Sequence, residues 1–154
     1  MARPNRELVD ALERTINRLT GGSVYWWGHM GMCNCGHLAR SITGLTEREI
    51  HASALERMGD WEEQANLYCP TSGLLIDTVL AAMFDLGLTR DDVRHLEKLS
   101  DPDVVARVGR NDLRRNERED VVTYMRAWRD MLAESLAPAR QFACSGGPTS
   151  DDSL

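Results

Sequence analysis

At 154 residues the chain suits one domain, and its hydrophobic (42%) and charged (27%) fractions are those of a globular protein that buries a core without disulfide staples. A net charge of −6 argues against general nucleic-acid binding, which demands surplus Lys and Arg, and no apolar run approaches the roughly 18 residues of a membrane span. The opening Met-Ala-Arg-Pro-Asn-Arg-Glu has no apolar core or small-residue cleavage site, so the expected compartment is the cytoplasm. There, thiols are more often metal ligands, nucleophiles or core residues than disulfides.

Apolar spacing and end signals predict an all-α single domain over residues 1–143, an irregular bundle of about six helices. The first helix runs from about Asn5 to Leu19, with Leu8, Leu12, Ile16 and Leu19 on one face and Gly21-Gly22 as its stop. After a long loop, Asn34 is the expected cap of a short helix carrying Leu38, Ala39 and Ile42, ended by Gly44. Thr46 and Glu49 form a capping box with Leu45 and Ile50 as its hydrophobic staple, and Asp60 with Glu63 makes a weaker box around Trp61. A longer helix follows Pro70, buries Leu75, Ile76, Val79, Leu80, Met83 and Leu86, and ends at Gly87. Thr89 with Asp92 starts another, and Asp101-Pro102 begins a short turn of helix through Val108. The last runs from about Asn116 to Leu136, with Val121, Met125, Trp128 and Leu132 inward and Pro138 closing it. Residues 144–154 have nothing to bury and are expected to be disordered, with Cys144 at their start an exposed bystander thiol. Val24–Trp27 is the one strand candidate and lacks a pairing partner.

The loop from Gly21 to Asn34 exceeds the two to eight residues that bundle connections need. It joins four glycines to Tyr25, Trp26 and Trp27, and His29, Cys33, Cys35 and His37 then fall within nine consecutive residues. Cys69 stands apart in sequence, just before Pro70. Thiolate and imidazole are preferred zinc donors, so Cys33, Cys35, Cys69 and either His29 or His37 form the expected ligand pool. Zinc is the first choice and non-haem iron the second, with Glu62 and Glu63 as oxygen donors if iron is bound. Residues two apart on a helix point about 200° apart, which makes Cys33 with His37, or Cys35 with His29, easier pairs than Cys35 with His37. Three ligands and an open position would activate water, and four would make the ion structural.

Two other readings use the same residues. Cys35 in the first turn of a helix, with His29 or His37 as base, is a nucleophile arrangement with Cys35 and His37 as catalytic candidates, and Cys33 makes a resolving thiol for a redox switch. Alternatively the cysteines are buried small hydrophobes in a structural or interaction module. Trp26, Trp27, Trp61 and Tyr68 flank the cysteine segments and are candidate walls of a pocket, whose occupant would be a small molecule or a protein partner. His51 and His95 are expected to be ordinary helix residues. Asp77 is expected on the less buried face of its helix, and the arginines at 107, 110, 114, 115 and 118 are expected to be salt-bridged, solvated helix ends.

Overall fold

Most of the helices begin where an N-cap side chain satisfies a free amide. In the computed structural model, which describes residues 1–136, the Asn5 side chain accepts the Leu8 amide at 2.8 Å and opens α1 (Arg6–Thr20). Thr46–Glu49, Asp60–Glu63 and Thr89–Asp92 form complete capping boxes for α3 (Glu47–Leu55), α4 (Trp61–Asn66) and α6 (Arg90–Lys98). Asp101, followed by Pro102, caps α7 (Pro102–Val108). The remaining helices are α2 (Asn34–Thr43), α5 (Leu75–Asp85) and α8 (Arg118–Leu136). The described residues thus hold eight helices rather than about six, because the short α4 and α7 are separate elements. They contain no strand, and Val24–Trp27 is loop. Pro138, Cys144 and the 144–154 tail lie outside the described residues.

The domain is all-α and built around its second helix. α1 packs along α8 and against α2, α7 rests on α8, and α2 also touches α3, α5 and α6. Six consecutive residues, Asn34 to Ala39, are buried, so the N-terminal half of α2 is enclosed on every side. A helix surrounded in this way has no solvated face to hold polar residues, and each one it carries must find a partner.

The cap of α2 is Cys33, not Asn34: the Cys33 Sγ accepts the Gly36 amide at 3.4 Å. Asn34 is instead the first helical residue and ties α2 to the end of α6. Its Nδ2 donates to the Leu96 and Glu97 carbonyls at 2.8 and 3.1 Å, and its Oδ1 accepts the Cys35 amide at 2.8 Å. Two glycines let the backbones meet. A Cβ on Gly31 would lie 2.0 Å from the Glu47 carbonyl oxygen of α3, and one on Gly36 would lie 2.2 Å from that of Met30. Both obstacles are backbone, which cannot swing aside.

Gly36→Ala is therefore expected to cost about 3 kcal/mol or more in urea denaturation. Gly44→Ala, at a left-handed C-cap with open space around it, is expected to cost only about 1 kcal/mol.

Candidate functional site

The residues singled out by the loop divide into a buried group, a surface pair and an outlier. Cys35 is fully buried, and its Sγ points to the Val93 carbonyl of α6 at 3.6 Å. Cys33 is nearly as buried and its Sγ lies 3.7 Å from the Met30 carbonyl. Burial pushes the Cys33 thiol up to about 11 and the Cys35 thiol well above its ordinary value, because a thiolate there would lose its hydration. Both sulfurs are thus neutral and engaged with backbone, the opposite of an activated nucleophile.

His37, also fully buried, donates from Nε2 to the Val24 carbonyl at 2.9 Å and stacks on Tyr25, with centroids 6.2 Å apart. Its Nδ1 has no partner. Burial lowers its pKa to about 4, since the imidazolium would sit unsolvated beside Arg40 and Arg18. This histidine holds the loop to α2 as a neutral donor.

His29 faces α3 rather than the cysteines. Its ring stacks on His51 at 3.9 Å, and the two rings accept the adjacent amides of Gly31 and Met30 through Nδ1 at 3.1 Å each. Burial, and then the neighbouring His51, lower the His29 pKa. Cys69 lies beyond the far end of α4 from Trp61, whose ring nitrogen donates to the same Met30 carbonyl that Cys33 approaches. The Cys69 Sγ meets Thr71 Oγ1 at 3.5 Å, and that contact lowers the thiol's pKa. Among the described residues, no three His, Cys, Asp or Glu side chains stand together as a metal-holding group.

The four aromatic side chains occupy three different surroundings. Trp61 is fully buried, Tyr68 packs edge-on against Phe84 at 5.0 Å, and Trp26 and Trp27 are exposed. Trp27 carries the Arg115 guanidinium over its ring at 4.7 Å, and the Tyr25 hydroxyl donates to the Arg115 carbonyl. The long loop is thereby pinned to the segment before α8. Arg107 and Arg110 pair with Glu134 and with Asp112 and Asp120, as solvated helix-end charges do.

Asp77 corrects its expected placement. It is buried, and both carboxylate oxygens take hydrogen bonds from Arg57, at 2.7 and 2.9 Å, with Ser72 Oγ donating at 2.6 Å. The Arg57 and Ser72 bonds hold its carboxyl below the usual range against the opposing effect of burial. Helical spacing placed it opposite the core residues of α5, but that side of the first turn is covered by the chain following α3. Glu97 is a second buried carboxylate that spacing did not reveal. From α6 it accepts the Trp61 and Glu62 amides at 2.9 and 3.2 Å and so caps α4 from outside. Glu62 and Glu63, the suggested iron donors, pair with Lys98 and complete the Asp60 box respectively.

No protein-family model, curated protein or solved structure matches the chain, so no relative's chemistry bears on the site.

Residue-resolved alkylation of the folded protein checks the thiols: Cys69 should react at least about tenfold faster than Cys33 or Cys35, which should label only on unfolding. A pH series checks His37. Its folded pKa lies below 6.5, so the unfolded chain binds more protons there, and this contribution to stability declines as pH falls from 6.5 through about 4. His37→Gln keeps a donor for Val24 without the titration and should flatten that part of the stability curve.

Proposed function

We propose that the chain is a helical interaction module that works through an apolar face at the meeting point of α3, α4 and α5. The observation that carries this is a group of large apolar side chains left in solvent there: Met58 is 88% exposed, Leu55 66%, Leu67 55% and Leu75 41%. Scattered single exposures are normal, but four within about twenty residues of chain, tied together in space, mark a contact surface. They are tied by hydrogen bonds at their bases. Arg57, fixed on Asp77, donates to the Leu67 carbonyl at 3.2 Å, and the Leu75 amide donates to Glu56 at 3.2 Å. The polar groups beneath the face are satisfied internally, which leaves the apolar side chains free to meet a partner.

The cysteines fit the same reading as structural groups. Cys33 caps α2 and Cys35 fills the space beside α6, which explains both without chemistry at sulfur. Zinc or iron binding by Cys33, Cys35, Cys69 and a histidine, and nucleophilic use of Cys35, draw less support from those positions.

Selection from a library of displayed helical peptides, followed by amide-shift mapping of the winners, tests the proposal. Binders should perturb Leu55, Met58, Leu67 and Leu75, and Met58→Asp with Leu67→Asp should abolish binding while each changes stability by less than about 0.5 kcal/mol. Binders that map elsewhere, or a stoichiometric zinc or iron content in the purified protein, would count against it.

A further inference from the structure

Charge around this face selects among the partners it can take. Between Leu55 and Leu75, which bound the face in sequence, the exposed charged side chains are Glu56, Asp60 and Glu63, all acidic. The single Lys or Arg in that stretch is Arg57, and it is held by Asp77 at 2.7 Å with most of its side chain covered. The three carboxylates keep these positions through local bonds: Glu63 bonds back to its N-cap amide, Asp60 caps α4, and Glu56 receives the Leu75 amide. An acidic rim fixed around exposed leucine and methionine is the surface complement of a helix with an apolar stripe edged by Lys or Arg. Methionine suits the centre of such a face, because its unbranched side chain adapts to the shape presented to it.

We propose that the face formed by Leu55, Met58, Leu67 and Leu75 receives a cationic amphipathic helix of a partner protein. This rests on the interaction reading above and narrows it. A second copy of the chain is the less suitable occupant, since it would bring the same acidic rim against itself, in a protein whose net charge is already −6.

The full chain is titrated with three labelled peptides of about 18 residues: an amphipathic Leu/Lys helix, its Leu/Glu counterpart, and a scrambled Leu/Lys sequence with no apolar stripe. Anisotropy gives the affinity, and amide shifts give the place. The Leu/Lys helix should bind at the four apolar residues, and weaken about tenfold as salt rises from about 50 to about 300 mM. Met58→Lys, a change at a solvated position, should weaken it by a further order of magnitude and leave the fold intact. Equal or tighter binding of the Leu/Glu helix at this face would overturn the cationic assignment while the interaction reading stood. Equal binding of the scrambled peptide would reduce the effect to bulk charge and overturn the helix. Self-association through the face, lost in Met58→Lys, would assign it to a second copy instead. If none of the peptides binds there, both readings fall together.

Discussion

The contact on which the structure depends is the approach of backbone to backbone at Gly31 and Gly36. Neither position has room for a single further carbon, since Glu47 and Met30 carbonyl oxygens already occupy the space. Because the chain closes this tightly, the loop after α1 lies flat on α2 and α3, and the start of α2 becomes the centre of the molecule. The polar residues drawn into that centre are then obliged to bond with backbone. Asn34 reaches the end of α6, Cys33 takes an amide of its own turn, and His37 takes a carbonyl of the loop. Through these bonds the residues from Cys33 to His37 tie the loop, α2 and the end of α6 together.

Local sequence signals and long-range contacts differ in how far this architecture is legible from the chain alone. Capping boxes involve residues three apart, and the boxes at Thr46, Asp60 and Thr89 form as the chain order alone implies. The apolar stripe of α1 was equally plain, because periodicity reports burial wherever a helix has one dry side and one wet side. α2 breaks that condition. Enclosed all round in its N-terminal half, it has no stripe to read there, and small or polar residues in a confined space suit a ligand set and a packed interior alike. Asp77 and Glu97 were hidden for another reason. Their partners, Arg57 and the first amides of α4, lie 20 and 36 residues away, and nothing in the local sequence announces a pairing at that range.

The same two carboxylates organise the outer face. Asp77 immobilises Arg57, and Arg57 in turn braces the Gln64 and Leu67 carbonyls, so three helices present their ends at fixed positions. Charge buried this way contributes little net stability, but it fixes geometry, and an exposed apolar surface of defined shape needs that. With Arg57 drawn into this pair, no free cation within the Leu55–Leu75 segment faces Glu56, Asp60 and Glu63.

The outside cap on α4 ties that helix to a distant part of the chain. Six residues are too few to hold a helix in water, where nucleation outweighs the handful of bonds gained. With its first amides received by Glu97, α4 exists only once α6 is in place. The two must therefore form and fray as one cooperative unit, and any event that loosens α6 will also dissolve the short helix between Met58 and Leu67.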